Sequence, residues 1–247
     1  MNDIILHIPH ASLNIPDKMR SNILLDGPEL AEELMAITDR YVDELFAMSG
    51  VRMIVSPVSR LLVDMERFRS DEDEVMAGVG MGAVYERTSG GKRLRDLTPA
   101  IREAIMREYY DPYHRAFEEA VAVCLNQYTR CVIIDCHSFP SRPLPYEVDQ
   151  DPDRAEICLG TCDYHTPRQL MDFFQNWMLQ HFTVAVNRPF AGTFVPSRFY
   201  RREKRVSSIM IEVNRSLYMD ETNGDKNNCF GRISELLKGS IQALPIL

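Results

Sequence analysis

The spacing of apolar and polar positions changes along the chain and predicts alternating strands and helices. Short apolar runs rich in β-branched residues predict strands, which lie at 4–9, 51–59, 60–65, 131–135, 156–161, 183–187 and 207–214. Apolar residues at helical spacing predict helices, which lie at 29–50, 98–128, 166–182 and 230–244. In the second helix we expect Thr98 as the N-cap and Pro99 in the first turn, and a break at Pro112 would divide it into two abutting helices.

This order of elements predicts an α/β fold in three layers. Strands that alternate with helices form a mostly parallel or mixed central sheet, and the connecting helices cover both of its faces. The sequence contains no internal repeat and no obvious linker, so we expect one domain over residues 1–247. The segment 69–96 is rich in glycine and charge. It is longer than an ordinary connection, which predicts either a functional lid or a mobile loop.

Composition and net charge narrow the classes of molecule that are expected to bind this protein. The 247 residues are 45% hydrophobic and 26% charged, and the net charge is −8. A negative field repels phosphate backbones and anionic lipids, so we expect neither nucleic acid nor membrane as a partner. No run reaches the roughly 18 apolar residues of a membrane span, and no signal-peptide pattern opens the chain, which predicts a cytoplasmic location. The basic run 198–205 predicts a surface loop or a contact with an anion. The sequence does not determine the oligomeric state, and a homo-oligomer is one of the alternatives.

Polar side chains cluster where the predicted strands end. These positions are His10, the run from Asp64 to Arg67, the run from Asp135 to Ser138, and Glu212 with Asn214. The carboxyl ends of parallel strands form the ligand crevice of such sheets, so these groups are expected to converge. Two imidazoles, His10 and His137, with a carboxylate suit a divalent ion such as zinc and leave a position open for water. Glu212 is then the candidate general base or acid.

Several of these residues have a structural alternative. His7 could be a second ligand next to His10, but its place inside the strand favours a hydrogen-bonded core histidine. Asp135 could orient His137 from the same side of the strand, or it could be structural. Arg67 and Arg60 offer planar forks for a substrate carboxylate. The alternative is an ion pair with Asp64 or Glu66.

Seven short blocks resemble, in order, the motifs of the N-formylglutamate amidohydrolase family. They are IPHAS (8–12), TDRYVDELF (38–46), SRLLVDMERF (59–68), DPYH (111–114), IDCHS (134–138), NRPFAGTF (187–194) and IEVNRSLYM (211–219). The resemblance implies a fold similar to that of the zinc carboxypeptidases and aspartoacylases. It also departs from the family's usual pattern: DMER stands in place of DLNR, and Phe194 stands where a histidine usually follows the glycine.

The resemblance also assigns residues to roles. It implies His10, Asp39 and His137 as metal ligands and Glu212 as the catalytic base. Substrate contacts are expected from Arg67, Arg60, His114 and Asn214, with Asp135 and Asp64 behind the ligands. For Asp39 the alternative is a helix or loop cap, and for His114 it is a packed helix histidine.

Together these features predict a zinc-dependent, or other divalent-metal-dependent, amidohydrolase that acts on a linear amide. The expected substrate is a small, carboxylate-bearing N-acyl amino acid: N-formylglutamate or a related N-formyl or N-acyl amino acid. One alternative is a zinc carboxypeptidase or amidase that acts on a peptide, for which an open groove would be evidence. The other is a non-catalytic binding protein with a degenerate site, in which His10 and His137 would not converge.

Overall fold

A computed structural model describes residues 3–245, in which six strands form one sheet. The strands are β1 (Ile4–Ile8), β2 (Arg52–Val55), β3 (Cys131–Phe139), β4 (Ile157–Gly160), β5 (Val184–Val186) and β6 (Val206–Asn214). Their order is β2-β1-β3-β6-β4-β5, and all neighbours are parallel except β4 and β6. The predicted α/β fold with a mixed sheet is therefore confirmed.

Seven α-helices surround the sheet within this part of the chain. They are α1 (Asp17–Arg20), α2 (Gly27–Ile37), α3 (Val42–Leu45), α4 (Pro99–Ile105), α5 (Asp111–Tyr128), α6 (Arg168–Met178) and α7 (Phe230–Gln242). Short 3-10 turns form at Val75–Val79 and Arg215–Leu217, and a π turn at Met106–Tyr110 joins α4 to α5. Among residues 3–245, no helix is both long and apolar enough to cross a bilayer.

The strand β3 shows how the sheet separates two cores. All nine of its residues are buried, because the strand is central and covered on both faces. Ile134 and Cys136 face one core, to which α3, α6 and α7 contribute. Cys131 and Ile133 face the other, to which α4 and α5 contribute. Successive side chains of a strand point to opposite faces, so one apolar run supplies both cores.

The predicted helix over 98–128 forms as two abutting helices. The Thr98 hydroxyl accepts a hydrogen bond from the Ile101 amide at 3.2 Å, as expected of an N-cap. Pro112 is the second residue of α5, and the residues before it, Tyr110 and Asp111, already have helical dihedral angles. The interruption is thus the π turn that precedes Pro112.

The prediction of a continuous helix over 29–50 is wrong. The helix α2 ends at Ile37, because Thr38 is extended (φ −86°, ψ 134°). Tyr41 then adopts a left-handed conformation (φ 67°) before α3. In the gap, the Asp39 amide donates to the His10 carbonyl at 3.0 Å. The break therefore holds the Asp39 backbone beside the end of β1.

The predicted strand over 60–65 is also wrong. These residues form turns, in which the Leu62 amide donates to the Ser59 carbonyl at 2.9 Å. Leu61 and Leu62 are buried, but in separate apolar clusters, and neither pairs in the sheet. An apolar run in a packed loop has the same composition as a buried strand, so periodicity alone does not separate them.

Candidate functional site

Three predicted metal ligands meet at the carboxyl edge of the sheet. His10 follows β1, His137 lies late on β3 and Asp39 lies in the gap between α2 and α3. The ring centroids of His10 and His137 are 5.1 Å apart. The Asp39 Oδ2 atom lies 3.2 Å from His137 Nδ1 and 3.7 Å from His10 Nδ1. All three residues are buried. One nitrogen of each imidazole therefore faces the same carboxylate.

His10 is held by its other ring nitrogen. His10 Nε2 donates to Asp64 Oδ1 at 2.8 Å, and Asp64 Oδ2 accepts from the Tyr85 hydroxyl at 2.5 Å and from Arg60 Nη2 at 2.8 Å. Burial alone would raise the pKa of the Asp64 carboxyl, but Arg60 and His10 hold it well below its usual range. His10 Nδ1 is buried and has no hydrogen-bond partner in the described chain. A carboxylate behind a histidine is the arrangement that orients metal-binding imidazoles.

Asp39 is held by Arg215, the residue that directly follows β6. Arg215 Nη2 donates to Asp39 Oδ1 at 3.0 Å, and Arg215 Nη1 donates to the Ala36 carbonyl at 2.6 Å. Burial opposes ionisation of Asp39, but contacts with His10 and His137 lower the pKa of this carboxyl below its ordinary value. Arg215 therefore orients the carboxylate and leaves Oδ2 for the histidines.

His137 lies between carboxylates on both sides of its ring. Nδ1 faces Asp39, and Nε2 lies 3.0 Å from Asp135 Oδ1 and 3.1 Å from Glu66 Oε1. Burial lowers the pKa of His137, but the charges of Glu66 and Asp135 raise it well above its usual range. The ring thus lies in a strongly negative environment that favours a cation.

Asp135 links His137 to the core beneath it. Its Oδ1 also accepts from His7 Nδ1 at 2.7 Å, and its Oδ2 accepts from the Phe194 amide at 2.7 Å. The His7 ring stacks on Phe117 at 4.7 Å. His7 is fully buried. These contacts match the expectation of a hydrogen-bonded core histidine at position 7.

Two groups of side chains in residues 3–245 have the spacing of a metal site. One is His10, Asp39 and His137, and the other is His7, Glu66, Asp135 and His137, each with ligand atoms within 4.8 Å of one another. In the second group, His7 and His137 both approach one oxygen of Asp135. In the first, the buried His10 Nδ1 has no hydrogen-bond partner among the residues that the structure describes. Nitrogen and carboxylate donors of either group suit zinc and similar divalent ions.

Glu212 lies beside the first group. It is the register partner of His137 on β6, and both residues line one cavity of about 170 Å³ together with His10 and Asp39. Burial raises the pKa of Glu212 to about 8 against the opposing charge of His137. Its Oε2 atom has no hydrogen-bond partner among the described residues. A buried carboxyl group with a free oxygen and a pKa near neutrality can accept and return a proton.

The two predicted substrate arginines have different surroundings. Arg60 donates to Asp64 and, through Nε, to the Tyr85 hydroxyl at 3.2 Å, so the ion-pair alternative describes its contacts. Arg67 Nε lies 3.7 Å from Asp64 Oδ2 and has no hydrogen-bond partner in the part of the chain described. Arg67 lines the 170 Å³ cavity and an adjacent cavity of about 810 Å³. It is the better placed of the two to meet a ligand carboxylate.

The other two predicted substrate contacts lie apart from the ligands. His114 on α5 lines the larger cavity, with its ring 4.0 Å from that of Tyr110. Burial lowers the pKa of His114 to about 4, so the ring is neutral near pH 7. Asn214 lines neither cavity; its Oδ1 accepts from the Ser216 amide at 3.1 Å and caps the turn that follows β6.

Two residues of the site, Arg215 and Tyr85, were not predicted, whereas Glu66 belongs to the run from Asp64 to Arg67 that was expected to converge with the others. Arg215 follows IEVN directly and lies within one of the seven sequence blocks. Tyr85 lies in the segment 69–96, in which no pattern indicated a buried hydroxyl. Each is defined by a contact with a residue distant in sequence, for which the local pattern carries no signal.

Comparison with known proteins gives consistent matches. A sequence model of the family N-formylglutamate amidohydrolase matches residues 2–219. An N-formylglutamate deformylase of Pseudomonas putida is 21% identical over 241 residues, which cover 89% of this chain and 82% of the relative. One of Pseudomonas aeruginosa is 25% identical over 207 residues, with 78% and 75% covered.

Solved structures share the fold. A crystal structure of an N-formylglutamate amidohydrolase from Ralstonia eutropha superposes with a TM-score of 0.84 at 23% identity, over 96% of this chain and 91% of that one. A gene product from Agrobacterium tumefaciens gives a TM-score of 0.68 at 21% identity, over 98% and 91%. At this level of identity the structural likeness speaks for the fold.

Proposed function

The chain belongs to the N-formylglutamate amidohydrolase family, and we propose that it is a zinc-dependent hydrolase of a small N-acyl amino acid. N-formylglutamate and related N-formyl or N-acyl amino acids are the substrates in question. One observation carries the proposal: His10 Nδ1, Asp39 Oδ2 and His137 Nδ1 converge beside a buried carboxyl group, Glu212, and one oxygen of that group has no hydrogen-bond partner within residues 3–245.

His10, Asp39 and His137 would hold the metal. Two imidazoles and one carboxylate form a common ligand set of catalytic zinc sites. Asp64 supports His10 and Arg215 supports Asp39, which fixes both ligands before any ion binds. When bound, zinc or a similar divalent ion supplies Lewis acidity, which lowers the pKa of water from 15.7 toward about 7 and polarises an amide carbonyl.

Glu212 moves the proton. Its free Oε2 accepts a proton from the attacking water and returns it to the nitrogen of the leaving amine. The amide C–N bond breaks, the carbonyl carbon gains the hydroxyl group, and the products are a carboxylic acid and an amine. Burial of Glu212 in the 170 Å³ cavity keeps bulk solvent from competing for this proton.

Arg67 binds the carboxylate of the substrate. Its guanidinium lines the same cavity as Glu212, and its Nε lacks a partner in residues 3–245. A planar guanidinium group can donate two parallel hydrogen bonds to a carboxylate. These bonds would position the amide of the substrate for hydrolysis.

The proposal as a whole is tested on a panel of N-acyl amino acids, with N-formylglutamate first. The zinc-loaded chain is expected to release free amine from at least one member, because the ligands and the base share one cavity. Amine release and zinc content are measured on the same sample. Stoichiometric zinc with no amine released from any member would refute the function.

Replacement of Arg67 by alanine is expected to raise KM by about 10- to 100-fold, because a hydrogen bond to a charged group contributes about 1.5–3 kcal/mol. The matching substrate with a carboxamide in place of its carboxylate should be hydrolysed equally by both proteins. The control is Arg168→Ala, because the Arg168 side chain is exposed, pairs with Asp172 on the same helix and lies outside the lining of either cavity. An equal loss with the carboxamide would mean that Arg67 does not bind the carboxylate.

The alternative of a non-catalytic protein required that His10 and His137 fail to converge, and their rings lie 5.1 Å apart. A short N-acylated peptide in the same assay tests the alternative of a peptide substrate, since preferential release of amine from the peptide would favour that alternative. A cytoplasmic location and a single domain over residues 1–247 stay predictions from the sequence.

A further inference from the structure

The site consists of two adjacent cavities rather than one. The smaller, of about 170 Å³, holds the three ligands and Glu212, and the larger, of about 810 Å³, lies next to it. Glu66, Arg67, Ala191 and Met210 line both cavities. Because Arg67 borders both spaces, a ligand held at Arg67 can reach either one.

The smaller cavity limits the size of the acyl half of the substrate. It has about a fifth of the volume of the larger (170 against 810 Å³). Its apolar walls are formed by Ala36, Ile37, Phe139, Leu144 and Phe190. With the amide beside Glu212, little space remains there beyond a compact acyl group. The amine half must then extend past Arg67 toward the larger cavity.

The larger cavity is lined by rings. They belong to Phe68, Tyr110, His114, Phe194 and Tyr200. The His114 ring lies 4.0 Å from Tyr110 and 5.8 Å from Phe194, so the three form one continuous surface. Aromatic side chains gain about 0.5–1.5 kcal/mol from ring contacts beyond the area that they bury. This surface suits a flat apolar group.

A carboxylate on the side chain of the substrate would meet few free cationic groups in the larger cavity. Glu66 and Asp135 line the end of the larger cavity that adjoins the ligands, and both would repel an anion. Arg69 is already bound to Asp111 at 2.9 Å. The remaining lining arginines, Arg115 and Arg202, are exposed at the outer side. Only a long anionic group would reach them.

We propose that the larger cavity binds the side chain of the substrate's amino acid, and that it prefers an aromatic side chain to that of glutamate. The preferred substrate is a compact N-acyl group, formyl or acetyl, on an aromatic amino acid. This inference rests on the proposed hydrolase function, since it uses the amide position beside Glu212.

The test compares N-formylphenylalanine, N-formylglutamate and N-formylglycine in two assays. The first is kcat/KM of the zinc-loaded full chain, where the aromatic substrate is expected to exceed N-formylglutamate by at least about ten-fold. The second is the Kd of each compound for Glu212→Gln, which is expected to follow the same order without turnover.

Two variants probe the cavity directly. Phe68→Ala and Tyr200→Ala are each expected to reduce the preference for N-formylphenylalanine over N-formylglutamate about five-fold. Tyr128→Ala is the matched control, because Tyr128 is 38% exposed against 36% for Tyr200 but lies outside the cavity lining. It should leave the preference unchanged.

The outcomes separate the two proposals. Equal or tighter binding and turnover of N-formylglutamate would overturn the aromatic preference and leave the hydrolase function intact. An unchanged preference in both cavity variants would remove the larger cavity from the side-chain role. Release of amine from none of the three compounds would instead count against the hydrolase function, while the Kd values would still report on the cavity.

Discussion

Replacement of Glu212 by glutamine is expected to lower kcat by about 100- to 10,000-fold while the metal stays bound. Glutamine keeps the shape of the side chain but neither accepts nor returns a proton. The carboxyl group touches none of the three proposed ligands by a hydrogen bond, and its Oε2 is free among residues 3–245. The loss should therefore fall on the chemical step and leave zinc content intact.

The measurement pairs steady-state kinetics with metal analysis of the same preparation. Glu235→Gln is the control, because Glu235 is exposed on α7, and it should retain full activity and zinc. If the Glu212 variant kept wild-type turnover with one zinc ion bound, another group would have to be the base. Loss of zinc in this variant would place Glu212 among the ligands instead.

Replacement of His10 by alanine is expected to abolish both zinc binding and hydrolysis. A catalytic zinc site has three protein ligands, and removal of one leaves an ion held by two side chains that compete poorly with water. Metal content should fall from about one ion per chain to near zero. His181→Ala is the control, because His181 is exposed and is not among the residues that line either cavity.

Metal analysis of a His7 variant decides between the two candidate metal-binding groups that share His137. His7→Gln should retain zinc if the ion lies between His10, Asp39 and His137, because His7 is not one of these ligands and contacts Asp135 and the aromatic core instead. Far-ultraviolet circular dichroism of each variant checks that the fold is kept. A His7 variant without zinc, together with a His10 variant that keeps it, would move the ion to the group of His7, Glu66, Asp135 and His137.

Local pattern was sufficient for most elements of the fold. β3 and β6 were predicted because buried central strands are continuous apolar runs, and α5 and α7 because one apolar stripe repeats at helical spacing. The two errors share one feature, a backbone bond to a distant residue that the local composition does not indicate. The Asp39 amide donates to the His10 carbonyl, and the Asp64 amide donates to the Ala83 carbonyl at 2.8 Å.

The candidate site was predictable only as a list of side-chain types. His10 and His137 stood at strand ends, so the convergence of the two imidazoles followed from the topology of a parallel sheet. The side chains that hold the neighbouring carboxylates, Tyr85 and Arg215, were not predictable. Their contacts with Asp64 and Asp39 join residues that are 21 and 176 positions apart.

The sequence by itself determined the α/β class, the family and the kinds of ligand atoms available, because these depend on local spacing and residue type. The tertiary structure decided which atoms meet. Among the described residues it left His10 Nδ1 and Glu212 Oε2 without partners, and it paired Arg60 with Asp64 and set a large cavity lined by five rings beside Arg67. Such contacts depend on distances between remote segments, which are defined only once the sheet has assembled.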